Sequence, residues 1–457
     1  MKMNRRQAIR SVALSGLAVQ GETGRAAAPN DRIGVALIGC GNMGRNDVQD
    51  FQKSPEVEVV ALCDVDQERL HALASVVEPR ARLYGDYRRV LDDRAVNVVI
   101  IATPDHWHPL ITVDACHAGK DVYVEKPVSN RVREGRAMVN AARTNQRVVQ
   151  VGLQQRSGSH FQRAAKVIQA GELGDIRYVQ CWIHERQGKA GVGTPPDSVP
   201  PATLDWDFWL GPAQTVPYNK QYHPGNWRNF FNFGGGRICD WGVHLVDFVH
   251  FAMGQDQPLS VASSGGKFYV TDRRDTPDTQ EAMWEYPGFL VHYTHLLHNS
   301  YGNNGNLGAK PFGSYGIQFH GTRGTLFIDR NGYDISPEMQ QHSEPGGIGS
   351  RSAFDDLAGV SIYYTIDGPA GRGTTSEQHL PHVSDFLRCV KTREKPIADI
   401  EAGHRSTTAC HLGNVAYRLG RKLKWNAPAE EVVGDDEANR LLTRAYRSPW
   451  KLPGLDG

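Results

Sequence analysis

The sequence predicts an α/β domain with a doubly wound parallel sheet, followed by an α+β domain with an open, mainly antiparallel sheet. In the first part of the chain, short apolar runs alternate with helix-compatible segments, a pattern typical of a parallel sheet. A glycine-rich turn directly follows the first of these runs. In the second part, runs of β-branched and aromatic residues are separated by glycine, proline and aspartate, which indicates antiparallel strands.

The composition is that of a globular protein and argues against several function classes. The chain has 457 residues, of which 40% are hydrophobic and 22% are charged, and its net charge is +1. The length predicts two or three domains. The small net charge argues against a nucleic-acid partner, and no apolar run is long enough to span a membrane. The cysteines are widely spaced and form no C-x-x-C pair, so we predict neither a disulfide framework nor a metal site.

The start of the chain resembles a twin-arginine export signal. Arg5 and Arg6 lie in a positively charged segment, residues 12–19 are apolar, and small residues suited to cleavage follow at 26–28. We therefore predict a leader over residues 1–28, recognition by the twin-arginine export machinery, and a periplasmic or otherwise exported protein. The apolar segment is short for such a signal, and a cytoplasmic location is the alternative.

The first predicted strand, residues 33–38, leads directly into the sequence GCGNMG. This turn matches the G-x-G-x-x-G signature of a dinucleotide-binding Rossmann domain. Gly39 permits the tight turn, Gly41 allows backbone amides to approach a pyrophosphate, and Gly44 allows the next helix to pack closely on the strand. The amino terminus of that helix faces the anion. The cofactor contacts predicted in this turn are Gly39, Gly41, Asn42, Met43 and Gly44.

The second predicted strand, residues 57–62, indicates which nicotinamide cofactor is bound. It is followed by Asp64, at the distance from the last glycine that is typical of the residue that binds the ribose hydroxyls. A carboxylate at this point would repel the additional phosphate of NADP. We predict NAD, and NADP is the less favoured alternative because Arg69 lies nearby in the sequence.

Two further predicted strands end in polar motifs. Residues 96–102 are followed by TPDHWH, and residues 121–124 are followed by EKP. Because ligands of a doubly wound sheet bind beyond the carboxyl ends of its strands, both motifs are expected at the cofactor site. The residues predicted to contact the cofactor here are Thr103, Pro104, His106, His108, Glu125 and Lys126.

The second half of the chain fits a substrate domain. Its strands are predicted at residues 176–184, 259–268, 280–286, 289–297, 316–320 and 325–329. The first two are separated by an insert rich in tryptophan, which suits the faces and hydroxyls of a sugar ring but could equally be the core of a loop. Helices are predicted at 382–391 and 404–423. We predict a Rossmann domain over 31–150, a substrate and oligomerisation domain over 151–400, and helices with a tail that packs back on the first domain over 401–457.

A polar cluster interrupts an apolar helical run, GRICDWGVHLVDF. Asp240, His244 and Asp247 recur at offsets of four and seven residues, so on a regular helix their side chains would share one stripe. A core histidine held by a neighbouring acid is the structural alternative. The spacing alone does not choose between a structural and a functional cluster.

The motifs GCGNMG, ATPDHWH, VEKPVS and GGGRICDWGVHLVDF occur in the order seen in one family of oxidoreductases. Residues 33–450 resemble the glucose-fructose oxidoreductase, inositol dehydrogenase and rhizopine-catabolism family (Gfo/Idh/MocA). In that family the lysine of E-K-P and the D-x-x-x-H pair form the catalytic set, which implies Lys126, Asp240 and His244 here. The resemblance also implies association into a homodimer or homotetramer through the open face of the second sheet.

Oxidation of a carbohydrate hydroxyl gives each of these residues a role. His244 would accept the hydroxyl proton, Asp240 would orient the imidazole, and Lys126 would stabilise alkoxide character on the reacting oxygen. Asp247 could shape a pocket for a sugar hydroxyl or bond its own helix. The residues considered for substrate binding are Arg156, His184, Trp227, Arg228 and Asp247.

Export would constrain the reaction, because no dissolved nicotinamide pool exists outside the cytoplasm. NAD would then stay tightly bound and be regenerated in each cycle. We predict a carbohydrate oxidoreductase. The alternative is an NAD-dependent glycoside hydrolase that acts by transient oxidation, elimination, water addition and reduction, with His184, Tyr222 or His223 as an additional base. A non-catalytic sugar sensor is less favoured, because Lys126 and His244 are both present.

Overall fold

The computed structural model describes residues 32–300, 314–345, 360–374 and 376–455. The predicted export leader at 1–28 lies outside the described residues. No helix in the described part of the chain is long and apolar enough to cross a membrane.

The first domain contains the predicted parallel sheet. Its six strands have the order β3-β2-β1-β4-β5-β6 and all pair in parallel. The strands are β1 (Ile33–Ile38), β2 (Val57–Cys63), β3 (Arg82–Tyr84), β4 (Val98–Ile101), β5 (Asp121–Val124) and β6 (Val149–Val151). The strand order reverses between β1 and β4, and ligands of this fold bind at such a switch point.

Helices cover both faces of this sheet. They are α1 (Asn42–Gln52), α2 (Gln67–Val77), α3 (Tyr87–Leu91), α4 (His108–His117) and α5 (Val132–Thr144). β1, β4 and β5 are buried along their whole length, which explains why they consist almost entirely of apolar residues.

The second domain contains an open sheet that is eleven-stranded in the described part of the chain. Its path runs β14-β13-β12-β11-β7-β10-β9-β8-β16-β17, and β15 pairs with β13. β10 and β7 pair in parallel and the other pairs are antiparallel, as predicted for a mainly antiparallel sheet. The predicted strands are β7 (Ile176–His184), β8 (Ser260–Gly266), β9 (Thr279–Tyr286), β10 (Phe289–Leu296), β11 (Tyr315–Gly321) and β12 (Gly324–Asp329).

Five strands of this sheet were not predicted. They are β13 (Gly332–Pro345), β14 (Val360–Asp367), β15 (Gly371–Thr374), β16 (Leu423–Asn426) and β17 (Glu431–Val432). β13 is largely polar and contains Pro337 and several acidic or amide residues, so it lacks the alternation that marks a half-buried strand. In contrast, β14 is rich in β-branched and aromatic residues, a signal that would have predicted it.

Helices of the second half pack on both domains. They are α6 (Ser159–Gln169), α7 (Trp206–Leu210), α8 (Val243–Met253), α9 (His379–Thr392), α10 (Ile400–Leu419) and α11 (Asp436–Leu441). Phe386 of α9 contacts Phe51 of α1, with ring centroids 5.9 Å apart. In the tail, Trp450 packs edge-on against Trp107 at 4.9 Å. The end of the chain therefore lies against the first domain, and α9 lies there as well.

One segment of the insert crosses the edge of the first domain. We call residues 203–228 the strap. Leu204 forms an antiparallel bridge with Asp66, and the amide of Gln67 donates to the carbonyl of Thr203 at 2.9 Å. Further along the strap, His223 Nε2 lies 3.5 Å from the carboxylate of Asp66. The strap thereby fixes a part of the second domain beside the end of β2.

Candidate active site

The glycine turn after β1 is shaped for a close approach to its backbone. Gly39 has a φ of +100°, and a Cβ there would lie 2.6 Å from the carbonyl oxygen of Ala102. A Cβ at Gly44 would collide with the carbonyl oxygen of Gly39. Gly41 instead faces open space, since the nearest atom to a Cβ there would be Arg69 Nη1 at 3.8 Å. Gly41 is therefore the point where a phosphate can approach the amides at the start of α1.

Asp64 is held at the end of β2 by two backbone amides. Its carboxylate accepts hydrogen bonds from the amide of Cys40 at 2.7 Å and from the amide of Asp66 at 2.8 Å. Burial raises the pKa of Asp64, and the two amides oppose this shift. Each carboxylate oxygen retains a lone pair, so the side chain can still accept ribose hydroxyls.

A cavity of about 460 Å³ runs along these residues, a volume typical of small-molecule sites. The predicted cofactor contacts that line it are Gly39, Gly41, Asn42, Met43, Asp64, Thr103 and Pro104. The opposite wall belongs to the strap and includes Phe208, Trp209, His223 and Arg228. Thr103 Oγ1 is buried without a hydrogen-bond partner within the described residues. The open glycine turn, the carboxylate and this orphaned hydroxyl fit a dinucleotide.

His106 and His108 are placed differently from the prediction, because neither lines the cavity. His106 is fully buried against Trp209, whose carbonyl oxygen lies 3.0 Å from His106 Nε2. His108 lies between the carbonyl oxygens of Pro127 and Thr103, at 2.8 and 2.9 Å. Burial lowers the pKa of His106 to about 3 and that of His108 to about 4. Both imidazoles support the loop that carries Thr103.

Two residues that are far apart in sequence meet beside the cavity. Lys126 Nζ lies 2.8 Å from the carbonyl oxygen of Asp240 and 3.1 Å from its Oδ1. Their side chains are only 13% and 12% exposed. Arg228 connects this pair to the cavity, because it lines the cavity and its Nε is 3.2 Å from Asp240 Oδ1. The carboxyl end of β5 and the start of the helical run thus form one site.

The role expected for Asp240 is corrected by the local helix geometry. Residues Ile238–Gly242 form a π-helical turn before α8, and this wider turn moves Asp240 off the stripe that a regular helix would give. Asp240 contacts Lys126, and Arg237 Nη1 donates to its other oxygen at 2.8 Å. Within the described part of the chain, His244 Nδ1 has no hydrogen-bond partner, so Asp240 does not orient the imidazole.

The pKa shifts of Asp240 and His244 follow from burial and from the charged groups around them. Burial opposes ionisation of Asp240, but Lys126, Arg228 and Arg237 hold its pKa well below the usual range. Burial lowers the pKa of His244, and the charges of Lys126 and Arg330 lower it further. Asp240 is therefore an anion and His244 a neutral imidazole near pH 7.

Asp247 and Arg156, both considered for substrate binding, bind each other instead. Arg156 donates two hydrogen bonds of 2.8 Å to the carboxylate of Asp247, and Ser406 Oγ donates a third at 2.8 Å. Asp247 is 1% exposed. This bidentate pair joins α8 to the turn before α6 and holds the Asp247 carboxylate in the protein interior.

Two arginines near Asp240 and His244 were not assigned from the sequence. Arg237, which lies inside the quoted helical motif, bridges Asp240 and Glu185. Arg330 lies in the two-residue turn between β12 and β13, with its guanidinium 4.7 Å from the centre of the Trp241 ring. The arginine of the motif could have been found from its spacing to Asp240. Arg330 could not, because its approach depends on the folded sheet.

The fold and the site define a two-domain dinucleotide-binding protein in which a lysine and a carboxylate meet beside the cavity, with a histidine one turn further along the chain. Residues 33–153 match the model of an oxidoreductase family with an NAD-binding Rossmann fold. Residues 176–265 and 374–452 match the C-terminal alpha/beta domain of the same family. The chain belongs to this Gfo/Idh/MocA family, and its first domain binds NAD.

Individual relatives are distant in sequence. A levoglucosan dehydrogenase of Pseudarthrobacter phenanthrenivorans is 24% identical over 369 residues, which cover 74% of this chain and 81% of that protein. An inositol 2-dehydrogenase of Salmonella typhimurium is 31% identical over 142 residues, which cover 31% of this chain and 42% of that protein. The solved WlbA dehydrogenase of Bordetella pertussis, in complex with NADH and UDP-GlcNAcA, has a TM-score of 0.61 at 19% identity, covering 86% of this chain and 99% of that chain. At 19% identity, the similarity to the WlbA dehydrogenase shows a shared fold only.

Proposed function

We propose that the protein is an NAD-dependent oxidoreductase that acts on a hydroxyl group of a carbohydrate or a carbohydrate derivative. The observation that carries this proposal is the contact between Lys126 of the first domain and Asp240 of the second, 3.1 Å apart, with His244 in the adjacent turn. The similarity to proteins named for levoglucosan and inositol supports a polyhydroxylated substrate.

His244, Lys126 and Asp240 each have a separate role in the proposed alcohol oxidation. When bound, oxidised nicotinamide supplies a hydride acceptor. His244 is neutral near pH 7, so its imidazole can accept the proton of the substrate hydroxyl. Lys126 donates a hydrogen bond to the same oxygen and stabilises the negative charge that develops on it. Asp240 holds the ammonium in place, and the strap covers the cofactor cavity against water.

The glycoside hydrolase alternative is not favoured. It needs an additional base near the reacting carbon, and Tyr222 and His223 do not suit this role. His223 lies against Asp66, at the end of the cavity that contains Asp64 and Arg69, and Tyr222 packs on Phe230 in the same insert. His184 closes β7 and remains the candidate base. The sensor alternative would leave the Lys126–Asp240 contact and the buried imidazole without a use.

We also propose that the protein is exported with NAD already bound and that the cofactor is regenerated in place. The arginine pair and apolar segment of residues 1–28 support export, and the strap supports retention of the cofactor. Replacing both Arg5 and Arg6 by Lys should shift the protein from the periplasmic to the cytoplasmic fraction. An unchanged distribution would contradict the export proposal.

We further propose that the protein forms a homodimer or homotetramer through the open face of the second sheet. Met283 of β9 is 40% exposed on that sheet, and His292 of β10 is half-buried beside it. Light scattering during gel filtration measures the oligomeric state. A Met283→Glu variant should weaken the assembly, while a monomeric wild-type protein would contradict this part of the proposal.

The central experiment tests the purified protein with its bound cofactor against neutral sugars, sugar acids and inositols. We expect the absorbance of reduced nicotinamide to rise with an oxidisable substrate and to fall when a carbonyl acceptor is added. In a second assay, the same protein is incubated with nitrophenyl glycosides. Release of nitrophenol with no net reduction of the cofactor would replace the proposal by the hydrolase alternative.

A further inference from the structure

Two carboxyl groups of the first domain are buried near the candidate active site, and each has one oxygen without a hydrogen-bond partner within the described residues. Asp47 is 3% exposed and Glu125 is 5% exposed. Asp47 Oδ2 and Glu125 Oε1 each have no hydrogen-bond partner within the described residues. None of the ion pairs in that part of the chain includes either carboxyl group. Buried groups of this kind are rare in folded proteins and need an explanation.

The two side chains are neighbours. Asp47 lies one turn before Phe51 on α1, so the two share one face of that helix. Glu125 lies two residues after Tyr123 on β5, so these two share one face of the strand. Phe51 and Tyr123 are in edge-to-face contact at 5.5 Å. The same packing brings Asp47 and Glu125 close enough for each charge to raise the energy of the other.

Glu125 also belongs to the edge of the sheet where ligands of this fold bind. It stands at the carboxyl end of β5, and its Oε2 accepts a hydrogen bond of 3.3 Å from the amide of Lys126. On its other side is Gly152, where a Cβ would collide with Glu125 Oε1. The backbone of Gly152 thus encloses the carboxyl group between β5 and β6 and separates it from solvent.

The charged and titratable groups around the pair come from four elements. Lys126, Arg228 and Arg330 favour the ionised form of Glu125, whereas Asp50 on α1 disfavours ionisation of Asp47. Tyr123 is the nearby titratable group on β5, and its pKa is raised by burial and by the charges of both carboxyl groups. Lys126, Arg228 and Arg330 each contact other groups as well. They therefore lower the free-energy cost of one ionised carboxyl group in the pair, but not that of two.

We propose that Asp47 and Glu125 share one proton in the enzyme with reduced cofactor, and release it when the cofactor becomes the positively charged oxidised form. In this proposal the pair adjusts the charge near the active site, without contacting the substrate or Lys126 Nζ. The inference rests on NAD binding and not on the identity of the substrate.

Elementary electrostatics supports one proton for two carboxyl groups. Two buried like charges cannot both ionise easily, so the pair titrates as a unit. Burial raises the pKa of Glu125 to about 7 and that of Asp47 well above its usual range. A cationic nicotinamide ring near the pair favours the ionised form, and a neutral reduced ring does not.

The proposal can be tested because it changes the number of protons consumed when the bound cofactor is reduced. Reduction of NAD⁺ to NADH consumes two electrons and one proton. If the carboxyl pair takes up a second proton in the same step, two protons are consumed for every two electrons. The slope of the midpoint potential of bound NAD against pH, near pH 7, should therefore be about twice the slope for free NAD.

The test uses the full-length protein with its bound cofactor, redox mediators and the absorbance of reduced nicotinamide. We expect a two-proton slope for the wild type and a one-proton slope for both Glu125→Gln and Asp47→Asn. Asp114→Asn is the matched control, because Asp114 is a half-buried acid of the same domain that already accepts a hydrogen bond from Tyr87. The control should keep the two-proton slope.

Difference infrared spectroscopy gives a second measurement that a structural role would not change. Reduction of the bound cofactor should produce a carboxylic-acid carbonyl band in the wild type, and the band should be absent from both variants. A one-proton slope in the wild type would overturn the proposal, as would a two-proton slope that persists in both variants. Neither measurement needs a substrate, so failure here is distinct from failure of the proposed activity.

Discussion

The ammonium of Lys126 has three N–H donors, and Asp240 accepts two of them, through its carbonyl and its carboxylate oxygen. The third donor is the one that the proposed function assigns to the reacting hydroxyl. Arg228 and Arg237 hold Asp240 in turn, so the position of the lysine depends on an arginine of the strap and an arginine of the π-helical turn. The position of this ammonium is therefore set by residues of the second domain.

His244→Ala should remove the base without removing the cofactor site. We expect kcat to fall roughly 10²–10⁴-fold, the usual contribution of a general base, while the amount of NAD that copurifies stays the same. Steady-state turnover and the absorbance of bound cofactor measure the two effects. His117→Ala, on the exposed end of α4, is the control and should behave as the wild type. Undiminished turnover of His244→Ala would exclude this base.

Glu125→Gln should change how stability depends on pH. The pKa of Glu125 is raised from 4.5 to about 7 in the folded protein, so folding favours the protonated form. Its contribution to stability is fully present below pH 4.5 and is lost as pH rises through 7. Between pH 5 and 8 the wild type should therefore lose roughly 1–3 kcal/mol relative to Glu125→Gln, measured by denaturant unfolding. Parallel pH profiles of the two proteins would contradict the raised pKa.

At the scale of elements, the regular parts of the fold could be predicted from the sequence and the irregular parts could not. Strands β1, β4 and β5 of the parallel sheet are buried on both faces, and this burial is visible as short apolar runs such as IGVALI. The π-helical turn has no such signature, so the spacing drew attention to Asp240 and His244 but did not predict that Asp240 contacts Lys126 and Arg237. The path of the strap depends on contacts between residues more than a hundred positions apart, which local patterns do not contain.

The Arg156–Asp247 pair is an element-level contact whose loss should affect stability before activity. Asp247→Asn would leave the guanidinium of Arg156 buried beside a neutral amide, and removing one partner of a buried ion pair costs about 3–5 kcal/mol. Chemical unfolding of the holoprotein measures this loss. Asp256→Asn removes a more exposed ion pair with Arg405 and should cost no more than about 1 kcal/mol. Equal losses for the two variants would refute the structural role of Asp247.

At the scale of the whole molecule, the cofactor cavity is a joint product of both domains. Its floor consists of the glycine turn and Asp64, and its cover includes Trp209, His223 and Arg228 of the strap. The tail adds a second connection, since Arg444 donates a hydrogen bond of 3.0 Å to the carbonyl of His106. We therefore expect NAD dissociation to require separation of the strap from the end of β2.

A weakened strap should release the cofactor faster. In His223→Ala the contact with Asp66 is lost, and we expect NAD to dissociate about tenfold faster, equivalent to about 1.4 kcal/mol. The decay of bound-cofactor fluorescence after dilution measures the rate. His71→Ala, on the exposed face of α2, is the control with an unchanged rate. If both variants retain NAD equally, the strap is not the barrier to release.

Because the strap belongs to the second half of the polypeptide, the two halves of this enzyme are not interchangeable modules. A hybrid that takes its first 150 or so residues from this chain and the remainder from another family member would inherit only the floor of the dinucleotide cavity. Such a hybrid would gain a new substrate preference together with a new cofactor residence time. Grafts intended to alter specificity alone should therefore retain residues 203–228 of the parent.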